Sequence, residues 1–141
     1  MHTQTLIDAT DLSAWSNRND SSAFLPQLLR TLILGTVKQV ISISFRAGEG
    51  VAIGGWDGRL DVAIGDAFVP VGGSVWELGT GREVKHKADD DYEKRKLDPL
   101  GCLPSETTYV FVTTRRWGGK DDWIKLRQAE GFWKDVRAYD A

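Results

Sequence analysis

Between Ala23 and Thr36 the apolar residues Phe24, Leu25, Leu28, Leu29, Leu32 and Ile33 recur at three- and four-residue spacing. That spacing puts them on one side of a helix and predicts a buried face there. Ser21 and Ser22 suit a helix start, Pro26 is expected in or near the first turn, and Gly35 suits the end. The pattern then changes period. Val40, Ile41, Ile43 and Phe45 read as a strand, Gly48 and Gly50 as a turn, and Val51–Ile53 as a short extended piece leading to Gly54 and Gly55. Leu60, Val62 and Ile64 alternate with Arg59, Asp61 and Ala63, the two-residue period of a second strand. Gly65 and Asp66 turn the chain, and Phe68–Val71 is expected to return it in extended form. Ser74–Leu78 is almost wholly apolar and predicts a strand buried on both faces.

Gly79-Thr80-Gly81 breaks that strand. Lys87–Lys96 has helical composition, with acids early and bases in the last turn, the order a helix dipole favours. Pro99, Gly101 and Pro104 mark a loop. Thr107–Thr113 is a β-branched and aromatic run that predicts another central strand. Arg115–Lys120 reads as a loop, Asp121–Gln128 as a helix ended by Gly131, and Val136–Tyr139 as a last strand. Helix, three strands, helix, strand, helix, strand implies an α/β fold with a mixed central sheet flanked by helices. Residues 1–12 look weakly ordered. The chain is divided into a lead-in at 1–17 and one domain at 18–141.

Composition narrows the chemistry. The chain has 141 residues, 41% hydrophobic and 27% charged, a globular balance for one domain. No apolar run approaches the ~20 residues of a membrane span, so no membrane partner is expected. The start lacks the basic stretch and long apolar core of a secretory signal, and the expected location is the cytoplasm. The single cysteine, Cys102, excludes an internal disulfide and a cysteine-rich zinc site; with only His2 and His86, a histidine-built cage is not expected either. Any metal should be a hard ion held by oxygen. A net charge of −2 counts against tight stand-alone nucleic-acid binding. Basic residues nevertheless crowd two segments, Arg82–Lys96 and Arg115–Lys120. They read either as mixed-charge solvated faces or as contacts flanking a site.

Three residue types carry the candidate chemistry. Asp57 stands at a strand start between Gly55 and Gly58. Glu77 is the one charge in an apolar strand and needs a partner or a metal to offset its desolvation. Lys85 and Lys87 follow at once. If the two strands form a hairpin, Asp57 and Glu77 come together and can hold Mg²⁺ or Mn²⁺ through oxygen, with a lysine beside the phosphate or the attacking water. Singly, each has an ordinary reading: Asp57 as a turn aspartate, Glu77 as a salt-bridge partner of Arg59 or Lys85, Lys87 as a surface lysine. Asp61 is an alternate ligand if the strand register shifts. Asp89, Asp90 and Asp91 form either a metal cluster or a solvated first helical turn. The six tryptophans are mainly core candidates, with Trp56 and Trp117 the exceptions placed to stack on bases.

At Asp57 and Glu77 the sequence resembles the PD-(D/E)xK nuclease superfamily, the restriction-endonuclease-like fold. The strings VPVGGSVWELGT, KADDDYEKR, TYVFVTTRRWGGKDDW and GFWKDVRAYDA resemble, more narrowly, the N-terminal nuclease-like domains of large bacterial STAND-type defence proteins. The resemblance covers roughly residues 18–141. It implies a core of α-β-β-β-α-β plus a helix and a strand, at the N-terminal part of a longer protein. It implies a Mg²⁺- or Mn²⁺-dependent DNA endonuclease serving as an effector in anti-phage defence, with assembly through or with a larger C-terminal region. Asp57 and Glu77 take the metal-ligand and catalytic positions. The family lysine two positions after the glutamate is here Gly79, so Lys87 is assigned that role, with Lys85 as the alternate. Lys85, Lys94, Arg95, Arg115, Arg116, Lys120 and Trp117 are the expected nucleic-acid contacts. The absence of lysine at 79 keeps a second expectation open: a catalytically inactive nucleic-acid-binding or oligomerisation module.

Overall fold

A computed structural model of the protein describes residues 9–17, 21–45 and 55–141. The elements run α1 (Ala9–Ser16), α2 (Ser21–Thr36), β1 (Gln39–Phe45), β2 (Gly58–Ile64), β3 (Gly72–Gly79), α3 (Val84–Leu97), β4 (Thr108–Thr113), α4 (Lys120–Ala129) and β5 (Asp135–Tyr139), with a 3₁₀ turn at Pro104–Glu106. One five-stranded sheet has the strands in sequence order. β1, β2 and β3 form an antiparallel meander; β4 and β5 add parallel to β3. α3 and α4 make the crossovers that parallel neighbours require. The expected α/β architecture and mixed sheet are therefore present, with β3 and β4 interior.

The differences from the sequence reading have local causes. α1 occupies part of the segment read as a weak lead-in. α2 begins at Ser21, so Pro26 lies inside the helix, beyond its first turn. Its apolar face is narrower than the spacing implied: Leu25 and Ile33 are buried, while Phe24 and Leu32 are exposed. Phe68–Val71 is a bend, not a strand; Asp66 Oδ1 accepts hydrogen bonds from the N–H groups of Phe68 and Val69 and curls the chain there. α3 starts three residues before Lys87, at Val84, which moves the aspartate run from the first turn into the body of the helix. The expected turn at Gly48 and Gly50, the extended piece Val51–Ile53 and the side-chain caps of Ser21 and Ser22 lie outside the described residues.

Alternation along β3 and β4 sends successive side chains to opposite faces. Val75, Tyr109 and Phe111 meet Val84, Ala88 and Tyr92 of α3 and Trp123 of α4 in an aromatic core that also takes in Trp56, Trp117 and Trp133. Trp76, Leu78, Val110 and Val112 meet Leu25, Ile33 and Val37 from the α2 side in a second, mostly aliphatic core. Burying each large apolar side chain contributes about 1.5–3 kcal/mol before entropy is subtracted. Gly58 permits the β1–β2 approach at this level: a Cβ there would lie 2.3 Å from Cε1 of Phe45.

α3 has a strongly polar sequence, and its position is fixed by few groups. Val84, Ala88 and Tyr92, four residues apart, form its buried stripe. Arg127 of α4 ties it from the side. The guanidinium bonds Asp89 (3.0 Å), Glu93 (2.7 Å) and Glu130 (2.9 Å) and lies 4.3 Å over the Tyr92 ring. With that stripe packed on the sheet, the adjacent stripe Lys87, Asp91 and Arg95 sits against the ends of β2 and β3.

Candidate active site

The β2–β3 register pairs Gly58 with Trp76, which brings Asp57 beside the Glu77 end of β3. Asp57 is close enough for its charge to act on the Glu77 carboxyl. Asp57 is steadied by its own backbone contact, in which Leu78 N–H donates to Oδ2 at 2.8 Å. Both acids sit at the carboxyl end of β3, where the sheet changes from antiparallel to parallel. In open α/β sheets that is where ligands bind. A cavity of about 680 Å³ opens there. Its walls come from Leu25 and Pro26 of α2, the Thr80–Glu83 turn, and the α3 residues His86, Lys87, Asp90, Asp91, Lys94 and Arg95.

Glu77 is 3% exposed. Arg95 Nε donates to its Oε1 at 2.6 Å. Despite that bond, burial and the neighbouring charge of Asp57 push the Glu77 carboxyl up to about 8, so the acid pair retains a proton at neutral pH. The partner of Glu77 is thus Arg95, and neither Arg59 nor Lys85. Arg59 reaches instead to Cys102 Sγ at 3.4 Å.

Lys87 reaches the site by way of Gly79. A Cβ at Gly79 would stand 3.2 Å from Lys87 Cγ and 3.8 Å from Cε, so the lysine side chain lies across the glycine. Nζ bonds Asp91 Oδ1 at 3.1 Å and lies 3.0 Å from Oδ2. The geometry satisfies only Oδ1 as a hydrogen bond, and Oδ2 is buried without one. Burial works against the charge on Lys87, but the carboxylates of Asp91, Asp57 and Glu77 outweigh it and raise its pKa. The lysine is held as a cation. Burial raises the Asp91 carboxyl too, against the opposing pull of Lys87.

Asp57, Glu77 and Lys87 are therefore brought together. Two further site residues were not assigned these roles from the sequence. Asp91 is 8% exposed and pairs with Lys87, in contrast to a solvated first turn. Arg95 is half-buried and its Nε is bonded to Glu77, where the sequence reading gave it only as a nucleic-acid contact. The available signal was the four-residue spacing Lys87, Asp91, Arg95, which becomes informative once Val84, Ala88 and Tyr92 fix which way α3 faces.

Other candidates fall elsewhere. Lys85 points to solvent and pairs with Asp89 at 2.6 Å, outside the cavity, which removes it as the alternate lysine. Asp61 faces Gly73 and Ser42 within the sheet, away from the cavity, so it is no ligand there. Asp89 and Asp90 are engaged with Lys85, Arg127 and His86, and the run is not a metal cluster. Trp117 is buried against Phe111 and Trp123 and Trp56 against Tyr109 and Trp133; neither offers a ring face for a base. Lys120 pairs with Asp140 at 2.8 Å beside a different cavity. Arg115 bonds Asn17 at 2.8 Å and the Thr80 carbonyl at 2.8 Å, tying α1 to the β3 end. Lys94 lines the cavity and is exposed, as a phosphate contact would be; Arg116 is exposed outside it.

Among the described residues no group of three or more histidine, cysteine, aspartate or glutamate side chains is arranged to hold a metal ion. Magnesium asks less of a protein, one or two carboxylates with waters and phosphate oxygens completing its shell. Asp57 and Glu77, two carboxyl groups side by side at the edge of an open cavity, fit that requirement. Among the described residues no helix is long and apolar enough to cross a membrane. Comparison with family models, curated proteins and solved structures gives no match.

Proposed function

We propose that this cavity is the active site of a Mg²⁺- or Mn²⁺-dependent nuclease that hydrolyses phosphodiester bonds in DNA. One observation carries the reading. Two carboxyls twenty positions apart in sequence meet at an open cavity, with a protonated lysine laid over the glycine beside them. The mixed sheet flanked by helices is the α/β architecture expected from the sequence, and the nuclease reading of it rests on the sequence resemblance. The role of effector in anti-phage defence, and assembly with a larger C-terminal region, come from that resemblance.

A divalent ion between the acids would neutralise charge on the scissile phosphate and lower the pKa of a bound water. Asp57 and Glu77 supply hard oxygens for it. Lys87, kept charged, cannot take a proton from water; it meets an anionic phosphate oxygen and stabilises the charge that builds there. Asp91 aims it through the i, i+4 contact. Arg82 and Lys94 stand on the cavity rim, where phosphates flanking the scissile one would run.

The Arg95–Glu77 bond and the glycine at position 79 favour a second reading, an inactive module that keeps the fold for nucleic-acid binding or self-association. Plasmid DNA incubated with pure protein and Mg²⁺ or Mn²⁺ separates the two. Nicking that stops with EDTA is expected. No cutting of DNA at high protein concentration with either ion would leave the binding module.

A further inference from the structure

Arg95 is the most heavily engaged side chain in the site. Nε donates to Glu77 Oε1 at 2.6 Å, Nη2 donates to the Gly55 carbonyl at 2.7 Å, and the guanidinium lies 5.1 Å over the Trp56 ring. It therefore grips β3 and the segment carrying Asp57 at once. The fork geometry of guanidinium suits such a double contact, which a lysine could not reproduce. Glu77 is buried, and Arg95 is the cation bonded to it.

We infer that Arg95 is a resident counter-cation that holds the acid pair in the ion-free protein and competes with the divalent ion for Glu77. The inference rests on the proposed metal-dependent reading of this site. Two cations sharing one buried carboxylate repel in a medium that screens them poorly. Binding of the ion must therefore loosen the Arg95–Glu77 bond, and the bond must weaken binding of the ion by the same factor. Arg95 would thus keep the site assembled but closed at low divalent concentration. A purely structural arginine would behave differently: removing it would disorder the acids and weaken ion binding.

The test uses Mn²⁺ alone, by calorimetry, on the wild type and on Arg95→Met, with melting curves in EDTA. Arg95→Met is expected to melt lower without metal yet bind Mn²⁺ at least tenfold more tightly. If it does not fold, Arg95→Lys takes its place, with a gain of severalfold expected because the second contact to Gly55 is lost. In the wild type, the Arg95 Nε–H signal should be protected from solvent exchange in EDTA and lose that protection at saturating Mg²⁺. Wild type that binds Mn²⁺, with a folded variant that binds equally or less well, overturns the competition and leaves the nuclease reading standing. Absence of Mn²⁺ binding in both proteins overturns the nuclease reading and the competition with it.

Discussion

The two faces of the sheet are built from different materials. Among the described residues the core under α2 is largely aliphatic, with Phe45 and Trp76 packed edge-to-face at 5.6 Å. Under α3 and α4 the core is dominated by rings, with Trp56, Tyr92, Tyr109, Phe111, Trp117, Trp123 and Trp133 in successive contact. The buried charges Glu77 and Asp91 lie on this side. Rings carry polar edges and accept cations over their faces, as Trp56 accepts Arg95 and Tyr92 accepts Arg127. A charged site can be seated in such a core at lower cost than among methyl groups. The difference assigns stability to one face and chemistry to the other, and each half of that assignment can be broken separately.

The largest effect should come from the acids. Asp57→Asn and Glu77→Gln preserve shape and remove the carboxyl groups that could bind an ion. If the proposed function holds, each is expected to lower metal-dependent DNA nicking by at least about a thousandfold, since the pair would both hold the ion and set its charge. Leu32→Ser, an exposed change on the α2 side, should leave the rate within about twofold, because surface substitutions of this kind leave the structure nearly unchanged. Nicking rates at saturating Mg²⁺, with circular dichroism to confirm folding, decide the point; equal losses in all three would erase the distinction between faces.

The converse is a cavity on the aliphatic side. Leu60 is 3% exposed and far from the acids in role. Leu60→Ala should cost about 2–5 kcal/mol in urea unfolding. Mn²⁺ affinity of the folded fraction should not change. A matching fall in affinity would mean that the two faces are coupled through β2 and β3.

Acidity gives a third handle. The Glu77 carboxyl is pushed up to about 8, first by burial and then by Asp57. The folded protein therefore holds a proton that the unfolded chain releases near the ordinary carboxyl range. Stability from this group is complete below about 4.5 and is lost as pH rises through about 8. Urea midpoints between pH 5 and 9 should fall for the wild type. For Glu77→Gln they should fall less, and the variant should be the more stable protein at the alkaline end. Parallel curves would show that Glu77 is ionised throughout.

How much of this was legible in the sequence follows the same division. β2 announces itself by alternation and β3 and β4 by apolar or β-branched runs, so β1, β2, β3 and β4 fall within a residue or two of their expected places, and Asp57 and Glu77 could be paired by assuming one hairpin. α3 hid its orientation. It offers only Val84, Ala88 and Tyr92 as buried phase markers among fourteen mostly charged residues, and without them Asp91 looks solvated and Arg95 looks like a surface base. The tryptophans were read correctly as core in the main; Trp56 and Trp117 misled because a loop position says nothing about which way a ring turns. Nor could charge clustering distinguish Lys94 on the cavity rim from Lys120, which faces a separate apolar cavity with Phe68 and Leu32.

The smallest effect is also the sharpest for the placement of the lysine. Lys87 lies where a side chain at position 79 would stand, and a methyl there would meet Lys87 Cγ at 3.2 Å and Phe111 Cζ at 3.4 Å. The Lys87 contact is tighter than usual and requires that flexible side chain to give by a few tenths of an ångström, while the Phe111 contact is at the edge of ordinary packing. No positive backbone angle binds this position to glycine. Gly79→Ala should therefore change stability by about 1 kcal/mol, the low end of overpacking costs. Lys87 would be displaced from its track toward Asp91. The expected result is a drop in kcat of about tenfold with little change in KM, because an interaction made chiefly in the transition state is weakened while binding is not. Lys87→Met in the same assay should give a larger loss, and adding Gly79→Ala to it should cost nothing more. Additive losses would mean that the glycine serves the sheet and not the lysine.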